Sequence, residues 1–414
     1  MIQGRSSSTR PDHGGSAAPT LAIVTDARWD GSGETSPPSA GPVVTWLRGN
    51  RIVDPRRVDP TSSSVERIDL SSSGHVGAVT ALPGLIDAHV HLAIPAPGPA
   101  AQDLPEGLLM LHMLRHAERH RRAGVTTLRD LGARNGVDLQ WRSALREGLA
   151  DGPRIRVSGR PIVAIGGHCA WMGHQVSGPD AAREAARREI AAGVDTLKMM
   201  VTGGLTTPGT DPRTMQLTRD EIDAVVEVAR SAGVPVAAHA QGGPGVRAAV
   251  EAGVDSLEHG LWLDDDDVDA MLRHGTRYVP TMSAVRLLAD GVEVGGVVPS
   301  PATRRKASEA VTVHAGSVMR AYRAGVPIVA GTDYVHGSLP FELQLLTEAG
   351  VPPVVALEAA TSAAAALLRI PELGRVTAGA AADLTVVGGD PTADIGAMRD
   401  VRLVVQDGRV VHRA

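Results

Sequence analysis

His89 and His91 stand two residues apart in the run GLIDAHVHL, and alternate residues of a strand share a face, so both imidazoles can point the same way. Other short apolar runs end in the same manner: VDTLK in Lys198, VPVAAHA close to His239, VDSLEH in His259 and VPIVAGTD in Asp333. Taken singly, each residue has a plain structural role, such as a hydrogen-bonded histidine at a strand end or an aspartate capping the next helix. Taken together, six polar residues at the carboxyl ends of five apolar strands read as one site.

Four neutral imidazoles with carboxylate oxygens suit a divalent metal, zinc foremost, with manganese or cobalt as substitutes. A lysine among them is anomalous. An ammonium beside cations is repelled, so Lys198 must be neutral, displaced or modified, and a neutral amine can add carbon dioxide to give a carbamate, an anion able to bridge two metals. The chain has only one other lysine, Lys306, against 39 arginines, 41 basic residues less the two lysines, which makes a lysine in an apolar strand informative. Water bridging two metals loses a proton near neutral pH. Asp333 would then carry that proton from the attacking water to the leaving amine.

The elements that must position these residues alternate. After Pro83, short apolar runs (GLIDAHVH, VTTLRD, RIRVSG, VDTLKMMV, VPVAAHA, VDSLEH, TRYVPTM, VPIVAGTD) alternate with Ala- and Arg-rich helical stretches such as DAAREAARREIAAG, RDEIDAVVEVARSAG and GPGVRAAVEAG. Eight strands over about 250 residues is the size of a (β/α)8 barrel, whose sites sit at the carboxyl ends of the strands. Strand-like segments at both termini, LAIVTDARW, VVTWLRGNRIV, VERIDL, AADLTVVGGDP and VRLVVQDGRVV, predict one β-sandwich into which the barrel is inserted. The expected organisation is a disordered Ser/Gly/Pro-rich tail over residues 1–19, a sandwich from 20–82 and 373–414, and a barrel over 83–372.

Composition narrows the class of function. A net charge of -5 over 414 residues disfavours a nucleic-acid partner, and no long apolar run suggests a membrane span. The single cysteine, Cys169, forms no internal disulfide, which fits a cytoplasmic protein. A homo-oligomer is compatible with all of this. His112, His116 and His120 fall at helical spacing and read as packing residues, and His13 and His412 lie near the termini. Aromatics are few, yet Trp171, Trp262, Tyr278, Tyr334 and Phe341 fall in or just beyond predicted strand ends, suggesting an apolar wall for a small-molecule or peptide substrate. Arg129, ending the second strand, and Arg213, in the loop after the fourth, could receive a substrate carboxylate as a bidentate pair. Residues 203–214, rich in Gly and Pro turns, read as a lid or a static solvent loop, and residues 289–304 as a cover over the mouth.

The segments LPGLIDAHVHL, GVTTLRDLG, LKMMVTGG, VPVAAHA, GVDSLEHG, GVPIVAGTD and LGRVTAGAAADLTVVGGDP resemble the metal-dependent amidohydrolase superfamily over nearly the whole chain. Within it, GGHCAWMG, LKMMVTGGLTTPGTDP and YVPT are similar to the imidazolonepropionase-related group that includes Xaa-Pro dipeptidases. The resemblance implies a binuclear zinc site: His89 and His91 with Asp333 on the more buried metal, His239 and His259 on the other, carboxylated Lys198 between them. It also implies that His168 faces the substrate and either polarises the scissile carbonyl or binds a carboxylate, with Tyr278 a second, weaker candidate for that task. The stretch AWMGHQVSG departs from the usual pattern, where relatives often carry other aromatic and acidic residues, and leaves substrate identity open.

The leading expectation is therefore hydrolysis of a peptide or peptide-like amide near a C-terminal residue, with trimming of a modified peptide in a natural-product pathway as a subcase. The alternatives are a lactone, ester or cyclic-amide hydrolase using the same metals, and a non-catalytic binding protein on this scaffold. The last would be expected to have lost ligands, and all six are present.

Overall fold

The computed structural model describes residues 19–32, 42–71 and 77–414; the expected N-terminal tail lies, except for Pro19, outside the described residues. Short strands come first: β1 (Thr20–Thr25), β2 (Ala27–Arg28), β3 (Val43–Arg48), β4 (Arg51–Ile52), β5 (Val65–Asp69) and β6 (Val79–Pro83). Parallel strands follow. β7 (Leu85–Val90) pairs with β8 (Val125–Asp130), and β8 with β9 (Arg154–Arg156). β10 (Ile162–Ala164) is flanked by β11 (His174–Val176) and β12 (Leu197–Met200), and the sheet runs on through β13 (Val236–Gly242), β14 (Ser256–Trp262) and β15 (Arg277–Val279). β7, β8, β12 and β13 are buried at every position, as strands covered on both faces must be.

Two barrel positions differ from the expected strands. The third, RIRVSG, breaks after Arg156 and resumes as β10 beyond Gly159 and Pro161; Val157 O accepts from Asp195 N and Thr196 N and carries the seam toward β12. The eighth, residues 327–333, forms no regular strand: Pro327 has no N–H to give, and Asp333 takes a left-handed backbone (φ 62). It still closes the barrel, because Val329 N donates to Tyr278 O while Ala88 N donates to Ala330 O.

Helices follow the strands around the outside. Pro179–Ala192, Arg219–Ala232 and Pro244–Ala252 occupy the three stretches whose spacing predicts helices. Local chemistry sets their ends: Thr218 and Glu221 form a capping box, and Gly233 ends the same helix in a left-handed conformation (φ 70). After β15 come two helices, Met282–Asp290 and Pro301–Ala324. Among the described residues no helix is long and apolar enough to cross a membrane.

The C-terminal β16 (Leu384–Gly388), β17 (Val401–Gln406) and β18 (Arg409–Arg413) join the N-terminal strands. One sheet has the order β4-β3-β1-β5 and the other β18-β17-β16-β6-β2, so β16 lies antiparallel to β6 from the far end of the chain. Ile23, Leu47, Ile68, Ala81, Leu384 and Leu403 belong to the apolar cluster that these strands share. This β unit meets the amino-terminal end of the barrel, where Gly84 N donates to Asp383 O and the Thr385 hydroxyl to Gly124 O. The opposite rim is left for the site.

Gly331 shows how tightly the closing segment packs. A Cβ there would lie 2.6 Å from His89 Cβ and 2.9 Å from Val279 Cγ1. Gly331→Ala is expected to cost about 1–3 kcal/mol through overpacking. Thermal unfolding checks this, and an unchanged melting temperature would show that the segment shifts freely.

Candidate active site

The six residues singled out at strand ends come together at the base of one cleft. His91, Lys198, His239, His259 and Asp333 line it, with about 650 Å3 of empty space open to solvent. His89 lies beneath them, its ring centre 5.1 Å from that of His259 and 5.3 Å from that of His91. Ligand atoms of His89, His259 and Asp333 all fall within 4.8 Å of one another, close enough to share a metal ion.

Hydrogen bonds determine which ring nitrogen each histidine offers. His89 Nδ1–H donates to Glu258 Oε2 at 2.7 Å and His91 Nδ1–H to Gly132 O at 2.9 Å, leaving each Nε2 with its lone pair toward Asp333. The Thr281 hydroxyl donates its only proton to Pro280 O, so its oxygen accepts from His259 Nδ1–H at 2.7 Å. His259 Nε2 is therefore also a lone-pair donor. His239 differs: Nε2–H donates to Gly203 O at 3.1 Å, and ligation through Nδ1 preserves that bond whereas ligation through Nε2 breaks it. Burial holds His89, His239 and His259 well below the usual histidine range and His91 at about 3, so all four rings are neutral, the form a metal requires.

The buried polar atoms without a partner include two of the floor, His89 Nε2 and Lys198 Nζ. Orphaned polar groups of this kind are costly, and a bound cation would relieve the histidine. Burial pushes the Lys198 amine down to about 8, against the opposing pull of Glu258 and Asp333. Asp333 is raised to about 6, again chiefly by burial. The donor set therefore fits a divalent metal.

His168 lies over this floor, its ring 4.4 Å from that of His239. Thr207 Oγ1 lies 2.7 Å from His168 Nδ1 and Cys169 Sγ 3.4 Å from its Nε2; where the hydroxyl donates to Nδ1, Nε2 carries the hydrogen. Gly204 permits this arrangement, since a Cβ there would come 2.3 Å from the ring. The loop over residues 203–214 is pinned by Lys306, whose ammonium donates to Gly204 O at 3.3 Å and Thr210 O at 2.5 Å.

Several expectations about substrate contacts need correction. Arg129 is buried below the floor, where it donates to Ala88 O, Ser256 Oγ and Glu258 Oε1, so it has no reach to a substrate. Tyr278 is fully buried and its hydroxyl lies against His259 O and Gly260 O, supporting the left-handed turn at His259 (φ 73) from behind. Arg213 is exposed, stands 5.5 Å over the Trp262 ring, and neither of the two lines the cleft. Trp171 and Tyr334 do line it, and Phe341 does not. Residues 289–304 also stand off the wall; the adjoining helix supplies Ala284, Val285 and Leu288.

Glu258, Thr207, Thr281 and Gln241 were not singled out in the sequence. Gln241 was legible, lying two residues beyond His239 on β13 and therefore on the same face. Glu258 and His259 are adjacent and should face opposite ways; the left-handed backbone at His259 undoes that alternation. Nothing in the sequence marks the two threonines.

A barrel with neutral histidines, an aspartate and a buried lysine at the carboxyl ends of its strands defines the class of metal-assisted barrel hydrolases. Residues 80–411 match the amidohydrolase family, and the chain belongs to that family. It is 27% identical to ochratoxinase of Aspergillus niger over 359 residues, covering 78% of this chain and 73% of that enzyme. It is 33% identical to imidazolonepropionase of Salinispora arenicola over 172 residues, 41% of this chain and 40% of that enzyme. The crystal structure of a Xaa-Pro dipeptidase with methionine bound in the active site superposes with a TM-score of 0.83 at 30% identity, covering 95% of this chain and all of that one. The chain is a hydrolase acting on carbon–nitrogen bonds.

Glu258 is the test of the floor. Glu258→Gln takes the negative charge from beneath His89 and leaves Arg129 buried without its counter-charge. Metal affinity is expected to fall about 10- to 100-fold, measured by metal titration of the folded protein. Unaltered affinity would show that Glu258 does not orient His89.

Proposed function

We propose that this chain hydrolyses the amide bond of a peptide-like substrate at a site holding two divalent metals, zinc foremost, bridged by a carbamate on Lys198. His89 and His91 with Asp333 would hold one metal, and His239 and His259 the other. The observation that carries this reading is the pair of buried, unpartnered atoms His89 Nε2 and Lys198 Nζ on the floor of a cleft with His259 and Asp333. An amine brought down to about 8 is neutral in appreciable part at neutral pH and can add carbon dioxide, releasing a proton and forming the bridging anion. When bound, the metals supply an acidic water and polarise the substrate carbonyl.

The remaining work falls to the side chains. Asp333, on the floor, takes a proton from the attacking water as its oxygen adds to the amide carbon, and hands it to the nitrogen as the C–N bond breaks. His168 lines the cleft with Nε2 3.4 Å from Cys169 Sγ, and with its hydrogen on Nε2 it would donate to the carbonyl oxygen as negative charge develops there. Neighbours named ochratoxinase and Xaa-Pro dipeptidase support an amide or peptide bond as the scissile one. The narrower expectation, cleavage beside a C-terminal residue, loses its two arginine receptors, because Arg129 and Arg213 are engaged elsewhere, and keeps only His168 of the groups expected to meet a carboxylate.

Asp333→Asn is expected to lower kcat at least about 100-fold through loss of the proton carrier. Normal turnover by that variant would remove Asp333 from this role. Lys198→Ala is expected to lose metal and to regain partial activity with a short carboxylic acid; two metals retained without rescue would rule out the carbamate. Metal analysis and amide-hydrolysis rates of the two variants, before and after chelation, make both measurements.

A further inference from the structure

The cleft wall is almost without charge. Above the floor it is formed by Ile94, Trp171, Met200, Leu205, Leu288 and Tyr334. Lys198 is the one Lys or Arg among the described residues that line it, and the carbamate removes its positive charge. Each nearby cation is committed elsewhere: Arg129 to Glu258 and Ser256, Arg213 over Trp262, Lys306 to two loop carbonyls. A carboxylate entering this wall would be desolvated with no Lys or Arg to pair with it, leaving only the floor metals, whose charge Asp333 and the carbamate already offset in part, and that is costly.

Among the polar side chains that line the cleft outside the floor and His168, Gln241 is the one whose buried polar atom has no partner. Gln241 is 5% exposed, lines the cleft, and its Oε1 is buried without a hydrogen-bond partner. An amide oxygen in that condition calls for a donor, and a substrate N–H supplies one. The carboxamide is itself uncharged, so its Nε2–H2 can offer an anion a hydrogen bond but no countercharge, and its unpartnered oxygen calls for a donor.

We infer that the cleft selects an uncharged, apolar secondary amide with no carboxylate beside the scissile bond, and that Gln241 receives the N–H of that amide. The inference rests on the amide-hydrolase reading and goes further by excluding free N-acyl amino acids and dipeptides as preferred substrates. It makes Gln241 a specificity-determining residue, in a position where the sequence showed only its register with His239. An arginine or lysine there would be the simplest way to build a carboxylate receptor into the same wall.

The test uses the metal-loaded full chain and substrate pairs that differ only in the carboxylate: N-benzoyl-L-leucine against N-benzoyl-isoamylamine, and N-acetyl-L-phenylalanine against N-acetyl-phenethylamine. The neutral member of each pair is expected to have the higher kcat/KM by about tenfold or more. N-methylation of the neutral amide, which removes the donor, is expected to lower kcat/KM about tenfold, and Gln241→Arg to shift preference toward the acids with two metals still bound. Equal rates or a preference for the acids would overturn the inference while leaving the hydrolase reading intact. If no member is cleaved, the hydrolase reading fails on these probes, and melting-temperature shifts of the metal-loaded protein decide the inference. A larger shift with the neutral members supports it; equal, absent or acid-favouring shifts overturn it.

Discussion

A buried carboxylate beneath the cleft holds the site together. Glu258 is fully buried, and it receives the His89 imidazole on one oxygen and the Arg129 guanidinium and Ser256 hydroxyl on the other. The charges of Glu258 and Arg129 balance, and Arg129 reaches on to Ala88 O, so the network ties together β7, β8 and β14. Losing one partner would leave the other as an uncompensated charge in the barrel interior. His89 can present Nε2 upward only because Glu258 claims the other nitrogen. Floor geometry is thus set one layer lower.

The rim above is built from backbone that ordinary strands avoid. His259 and Asp333 both adopt left-handed conformations, with φ of 73° and 62°. Such conformations cost about 1–2 kcal/mol for a residue with a side chain. Here each is anchored, His259 by the Tyr278 hydroxyl behind it and Asp333 by its N–H on His89 O. Strain at a strand end turns the side chain out of the alternation of the sheet and into the cleft, and the barrel supplies the packing that sustains it.

The two lysines of the chain divide their work between floor and loop. Lys198 lies in the apolar core of the site with no partner, while Lys306 holds the loop that carries Thr207, and Thr207 orients His168. One lysine thus acts where burial makes its amine reactive, and the other where its charge can satisfy carbonyls at the end of a long stem. With these commitments met, the wall above the floor holds no Lys or Arg, and Gln241 is its one side chain with a buried polar atom left unpartnered.

The sequence by itself determined the barrel, the six residues at its floor and the family. Parallel strands buried on both faces read as short apolar runs, and their common direction carries every strand end to the same rim, so residues far apart in the chain could be assigned to one place. The irregular eighth position and the split third strand escaped that reading because proline, glycine and left-handed residues break the ladder without breaking the apolar pattern. What the tertiary structure alone decided was which side chains were free. Arg129 lies at a strand end as a substrate receptor would, yet its partners Ser256 and Glu258 are 127 and 129 residues away. Tyr278 likewise reaches back across the strand pairing to His259, and the left-handed turn that brings His259 beside Glu258's other partners is invisible to a period of two. Hydrogen bonds between strands distant in the chain choose the orientation and charge of each group, and those choices exist only once the barrel has closed.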